Sequence, residues 1–156
     1  MQDYSESALV EEPAIALFAA LGYETANGFY EKLGKNGTFG RETYGEVVLL
    51  PRLRAALQRL NPGLAREAIE IAVEELTRDR SALSLANANR EVYRLLKNGV
   101  NIRIRGDGDE EIDETVRVID WNTPTNNDFF LASQFWISGE MYKRRPTWWA
   151  LLMACP

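Results

Sequence analysis

The sequence predicts a mixed α/β (α+β) domain, and three observations predict it. Leu64, Ala68, Ile69, Ala72, Val73 and Leu76 recur at helical spacing, as do Val92, Leu95 and Leu96. Val100, Ile102 and Ile104 alternate with Asn101, Arg103 and Arg105, which is the signature of a strand with one wet face. Finally, Phe129 to Ile137 is a run of aromatic and apolar residues that suits a buried strand.

In chain order, Ser5-Glu6-Ser7 opens a helix. Either serine can accept an early backbone N–H, and Glu6, Glu11 and Glu12 sit near the positive end of the helix dipole. Leu9, Val10, Ile15, Leu17, Phe18 and Leu21 provide a stripe for burial on one side. Pro13 lies too deep for the first turn unless the helix begins near Glu12, so Glu6 to Glu11 is expected to form a separate turn. Gly22 supplies a left-handed cap.

Tyr23 to Leu50 is expected to be an irregular excursion, turn-rich from Gly34 to Glu42, before a short helix over Pro51 to Leu60. Asn61-Pro62 reads as a helix start, cap then proline. A further helix is predicted from Leu85 to Lys97, ended by Asn98-Gly99. The alternating strand from Val100 turns at Gly-Asp-Gly and is expected to return over Thr115 to Ile119 with Val116 and Val118 inward. A loop at Asn122 to Asn127 leads into the aromatic strand, and Glu140 to Arg145 is expected to pair with it after the turn at Ser138-Gly139. Thr147 to Pro156 changes character to an uncharged apolar tail.

At 156 residues and 46% hydrophobic, the chain is long enough to bury one core. Its net charge of −5 repels phosphate backbones on average, so nucleic-acid contact requires a local basic patch. A single cysteine, Cys155, precludes an intramolecular disulfide. Histidine is absent, which removes His-based triads, most zinc sites and the usual general base, leaving carboxylates and lysine for chemistry. With no signal-like N-terminus and no apolar stretch of membrane-spanning length, a cytoplasmic chain without a membrane partner is expected.

Several patterns invite chemical readings. Asp107 to Glu114 has calcium-loop acidic spacing but lacks the glycine and flanking helices that such a loop needs, so a solvated hairpin tip is expected. Gly34, Gly37 and Gly40 have no following Gly-Lys-Ser/Thr and no preceding apolar strand, which favours a surface loop over a phosphate loop. Lys143-Arg144-Arg145 is either a solvated strand end or a phosphate contact beside an active site. A lone carboxylate on the first helix cannot hold magnesium without a second one from a strand.

Taken together, Ser5-Glu6-Ser7-Ala-Leu-Val, Leu21-Gly22-Tyr23-Glu24, Glu74-Glu-Leu-Thr-Arg-Asp, Asn89 to Gly99, Val118-Ile-Asp-Trp-Asn122, Asn127-Asp128-Phe129 and Gln134-Phe135 through Pro146 resemble the start of the R (restriction) subunit of type I restriction enzymes. The resemblance implies an incomplete PD-(D/E)xK nuclease-like domain over residues 1–146, with N-terminal helices, antiparallel strands and a truncated core sheet. It implies magnesium-dependent DNA cleavage in the complete family, ATP used only by motor domains outside this sequence, and DNA with the methylase and specificity subunits as partners. Glu6 is then the candidate helix carboxylate, with Glu11 the alternative, and Lys143, Arg144 and Arg145 the DNA contacts. An alternative reading is a small non-catalytic module that binds restriction-modification subunits or DNA.

The match breaks after Pro146. Thr147 stands where the family's metal-binding aspartate is expected, and the 156 residues contain no Glu-x-Lys. Read one base out of phase, Trp149 becomes valine and Ala150 and Ala154 become glycine, while the codon at Thr147 permits aspartate. Each falls where the family pattern Asp-Leu-Val-Gly…Asn-Gly-Leu-Pro requires it. Residues 147–156 are therefore expected to be a frameshift-derived tail, the magnesium site incomplete and poorly binding, and the chain catalytically inactive. Phe129, Phe130, Phe135 and Trp136 are expected to have less cover than they need.

Overall fold

The computed structural model describes residues 7–105, 110–139, 143–144 and 148–153, and divides the chain into two compact units. No helix among the described residues is long and apolar enough to cross a membrane.

The first unit takes Met1–Leu49 and Asp128–Leu152. A single π-helical turn, Ser7–Glu11, precedes helix α1 (Glu12–Ala20), which has Pro13 in its first turn. This is the break that Pro13 demands, because its missing N–H costs nothing there. Gly22 adopts φ 93° after the last turn. The expected burial of an apolar stripe is not seen: no residue of α1 is buried, with Leu17 59% and Leu21 65% exposed. The physical reason is that this alanine-rich helix is apolar around most of its circumference, so no one face is distinguished. Phe18 packs edge-on against Tyr23, with ring centroids 4.9 Å apart.

Strand β1 (Glu24–Asn27) follows where an irregular excursion was expected, and it runs parallel to β4 (Asp128–Ser133) in the register Glu24↔Phe130 to Asn27↔Ser133. The three-stranded sheet has the order β1-β4-β7, so the apolar tail contributes β7 (Trp148–Met153) beside β4. The long strand predicted over Phe129 to Ile137 is two pieces. Gln134 has φ 55°, which ends β4, and the chain resumes as β5 (Ile137–Ser138), paired antiparallel with β6 (Lys143–Arg144). Phe130 and Phe135 are buried, against the expectation of too little cover, because Phe39 from the glycine-rich loop packs on both at 6.0 and 5.4 Å, while Phe129 and Trp136 are half-buried.

The second unit contains Leu50–Asn127. Helix α2 (Leu50–Leu60) buries Leu53, Ala56, Leu57 and Leu60, and α3 (Arg66–Thr77) buries Ala68, Ile69, Ala72, Val73 and Leu76. The two helices pack on each other, and α3 covers the hairpin of β2 (Val100–Arg105) and β3 (Glu111–Val116). Each fully buried leucine there contributes about 1.5–3 kcal/mol of apolar transfer. Helix α4 (Leu85–Asn98) is capped by Ser84, whose Oγ accepts from the Asn87 N–H at 3.3 Å, and is ended by Gly99 at φ 82°.

Two elements differ from the sequence expectation. Asn61-Pro62 does not begin a helix; α3 starts at Arg66. Asn61 instead bridges to Arg117, accepting its N–H at 2.8 Å and donating Nδ2 to its carbonyl at 2.8 Å. That pair of backbone bonds outcompetes a cap. The returning strand of the hairpin is Glu111–Val116 rather than Thr115 to Ile119, since the cross-strand ladder from Val100↔Val116 to Arg105↔Glu111 recruits the acidic residues.

Candidate functional site

The carboxyl ends of the parallel strands β1 and β4 meet the π-helical turn at a cavity of about 570 Å³, lined by Glu11, Glu12, Asn27, Phe29, Tyr30 and Gln134 among others. Ends of parallel strands are where α/β sheets open clefts for ligands, because the strands diverge and the connecting chains splay. Gly28 carries the chain past Gln134: its N–H donates to the Ser133 carbonyl at 2.8 Å, and a Cβ on it would sit 3.2 Å from the Gln134 carbonyl oxygen.

Glu11 is only 6% exposed. A buried carboxylate is costly unless donors satisfy it, and Gln134 does so, donating Nε2 to Oε1 and Oε2 at 2.8 Å each. The positive φ of Gln134 ends the strand at this position. On the cavity's other side, the Asn27 Oδ1 accepts the Phe29 N–H at 2.8 Å, and the rings of Phe29 and Tyr30 meet edge-on at 4.6 Å.

Behind Gln134 the glycine-rich loop is organised around Arg41, which is 1% exposed. Its Nε donates to Glu31 Oε1 at 2.6 Å and its Nη2 to Oε2 at 2.5 Å, a bidentate fork. Nη1 reaches the Glu46 carbonyl at 3.0 Å and Nη2 the Trp136 carbonyl at 2.7 Å. The guanidinium lies 3.8 Å from the centroid of the Phe135 ring. The loop of Gly34, Gly37 and Gly40 thus serves to wrap an internal ion pair, and its attachment to Trp136 fixes the segment that carries Gln134.

The predicted site residues fare unequally. Glu6 and Arg145 lie outside the described residues, as do Asp107 to Asp109 of the acidic run. Glu11, the alternative carboxylate, lines the cavity. Lys143 and Arg144 form β6, with Arg144 exposed. Two acids of the described part of the run face Arg103, which pairs with Asp113 at 2.9 Å and with Glu111 at 3.4 Å. The hydrogen bond and charge of Asp113 raise the Arg103 pKa above its ordinary value.

The described residues contain no group of three His, Cys, Asp or Glu side chains placed to hold a metal ion. Glu11 keeps lone pairs free beside its two bonds from Gln134, but it is a single carboxylate, so the described residues by themselves do not make up a magnesium site.

The segment Val118-Ile-Asp-Trp-Asn122 is held by a network of hydrogen bonds around Asp120. Asp120 Oδ1 accepts the N–H groups of Asn122 at 3.1 Å and Thr123 at 3.0 Å, and Oδ2 accepts Asn126 Nδ2 at 2.9 Å. Asn127 locks the same turn by two bonds to the Asp120 backbone, at 2.8 and 3.0 Å. The Asn126 amide, then the Thr123 N–H, hold the Asp120 carboxyl below the ordinary carboxylate range.

Sequence reasoning missed Gln134, Glu31 and Arg41 as parts of one assembly. A glutamine between Ser133 and Phe135 in an otherwise apolar run was the available signal for the first. No local pattern pairs Glu31 with Arg41.

The sequence matches the family described as "Type I restriction enzyme R protein N terminus" over residues 3–146. It is 30% identical over 125 residues, 80% of this chain, to the "Type I restriction enzyme HindI endonuclease subunit" of Haemophilus influenzae. It is 27% identical over 131 residues, 84% of this chain, to the "Putative type I restriction enzyme MjaIXP endonuclease subunit" of Methanocaldococcus jannaschii. In both cases the alignment spans 12% of the relative's length. No solved structure matches the chain.

Proposed function

Because the chain belongs to the family of the type I restriction enzyme R protein N terminus, we propose that it forms the opening part of a magnesium-dependent DNA-cleaving module and supplies one carboxylate to it, Glu11. The observation that carries this reading is the burial of Glu11 at the carboxyl ends of β1 and β4, under the Gln134 amide. A PD-(D/E)xK centre needs an aspartate and a Glu-x-Lys besides the helix carboxylate, and the 156 residues contain no Glu-x-Lys. These residues by themselves therefore do not hydrolyse DNA. In this reading DNA, magnesium, the ATP-driven motor, and the methylase and specificity subunits belong to the complete R subunit and its assembly. In the same reading Lys143, Arg144 and Arg145 are assigned the contacts to the DNA backbone.

The match to the family stops at residue 146, which supports reading Thr147 to Pro156 as translated out of frame. Formation of β7 agrees with either frame, since Trp-Trp-Ala-Leu-Leu-Met is apolar enough to pair with β4 whatever its origin.

The test is incubation of the purified chain with magnesium and supercoiled plasmid. Plasmid is expected to stay supercoiled, and nicking that Glu11→Gln or Glu6→Ala abolishes would overturn the reading. The nucleotide sequence past the Pro146 codon tests the tail: an alternate frame encoding Asp-Leu-Val-Gly and then Glu-x-Lys is expected.

A further inference from the structure

We propose that the exposed face of α4 carrying Arg90, Arg94 and Lys97 is a contact surface for the sugar-phosphate backbone of duplex DNA, an inference that rests on the reading of this chain as part of a DNA-cleaving module. The three cations stand at positions i, i+4 and i+7 of one helix, so they line a single stripe about 10 Å long. All three are exposed, and none forms an ion pair among the described residues.

Three other cations of this unit are each paired with an acid. Arg54 is paired with Glu70 at 2.8 Å, Arg103 with Asp113, and Arg117 with Asp120 at 3.6 Å. From Ser81 to Arg105 the sequence contains one acid, Glu91, and Arg78 and Arg80 both bond it. Charge is therefore separated: a chain of net charge −5 keeps an uncompensated stripe of +3 on one helix.

The neighbouring chemistry suits a sugar-phosphate chain. Tyr93 is 61% exposed on the same face, with the Lys97 ammonium 6.0 Å from its ring centroid. A cleft of about 450 Å³ opens beside Arg94, where Asn98 and Asn101 offer amides. Glu75 also lines it, and its carboxylate lies 3.4 Å from Arg78 and 3.5 Å from Arg80. Arginine, lysine, asparagine and tyrosine are the side chains that position a protein on phosphates without reading sequence. The contact is thus non-specific and sensitive to salt.

The test is fluorescence anisotropy of the full chain with a short labelled duplex, titrated at several salt concentrations. Neutralising Arg90→Gln, Arg94→Gln and Lys97→Gln together is expected to weaken binding tenfold or more at low salt. The slope of log K against log salt should become shallower by about 2.7, at about 0.9 for each phosphate that is no longer neutralised. Arg94→Gln alone should change it by about 0.9. Circular dichroism of both variants should match the parent, since these side chains are exposed. The double variant Lys32→Gln/Lys35→Gln, on exposed lysines of the other unit, should leave the slope close to the parent value.

A triple variant that binds like the parent overturns the inference and leaves the nuclease reading standing. So does an equal loss in the lysine double variant. Displacement of the duplex by poly-glutamate as readily as by unlabelled duplex assigns the stripe to an acidic protein surface and overturns it too. A parent chain that binds no duplex at low salt overturns both the stripe and the DNA-facing reading.

Discussion

Gln134 holds Glu11 by donating its side-chain amide to both carboxylate oxygens, joining the end of β4 to the turn before α1. The bond closes a long loop in sequence, and Glu11 is buried, so its loss is not repaired by water. Gln134→Leu should lower the free energy of unfolding by about 1–3 kcal/mol, read from urea denaturation. The double variant Glu11→Leu/Gln134→Leu should cost less than the two single changes summed, since it leaves neither partner stranded. Strict additivity would show that the two side chains do not interact.

Arg41 and Glu31 form a buried fork, and removing one member leaves the other charged and unpaired in the interior. Arg41→Met should therefore cost about 3–5 kcal/mol, whereas Arg41→Met with Glu31→Leu should recover a large part of it. Thermal melts of the three proteins decide this. A double variant no more stable than Arg41→Met would mean that the bonds to the Glu46 and Trp136 carbonyls, rather than the ion pair, carry the loop.

Gly99 turns the chain from α4 into β2 at φ 82°, with the Val116 carbonyl oxygen 2.6 Å from where a Cβ would lie. Gly99→Ala should therefore destabilise by more than about 1 kcal/mol. Gly63→Ala is the control: nothing lies within 4 Å of its Cβ position, so its melting temperature should stay near the parent value.

Much of this was legible locally. Helices α3 and α4 show in the 3.6-residue spacing, the β2–β3 hairpin in its alternation, and the interrupted start of α1 in Pro13, because each signal lies within one element. Strand β1 was not legible: Glu-Thr-Ala-Asn has no apolar alternation and is a strand because β4 supplies its partner from far along the chain. Asn61-Pro62 carried correct cap chemistry that the bonds to Arg117 overrode. At the candidate site, Glu11 is legible as an alternative carboxylate, but its partner is not. Nothing near Gln134 in sequence says that its backbone turns to positive φ, and nothing near Arg41 says that its charge is spent inside.

Asp120 gives the second unit a pH dependence whose sign follows from its hydrogen bonds. The Asn126 amide and the Thr123 and Asn122 N–H groups favour the ionised carboxylate, so its pKa in the folded protein lies below the ordinary value of about 3.9. A group depressed on folding contributes stability that is fully present above its unfolded pKa and is lost as pH falls through its folded pKa. Urea midpoints of the parent and Asp120→Asn should thus differ most at neutral pH and converge as the solution is acidified through and below the usual carboxylate range. An Asn122→Ala control keeps the carboxylate and should retain most of the parent's pH dependence, since the Asn122 bond is a backbone one. A difference between parent and Asp120→Asn that stays constant from neutral to strongly acidic pH would show that the carboxylate's charge is not what stabilises the turn.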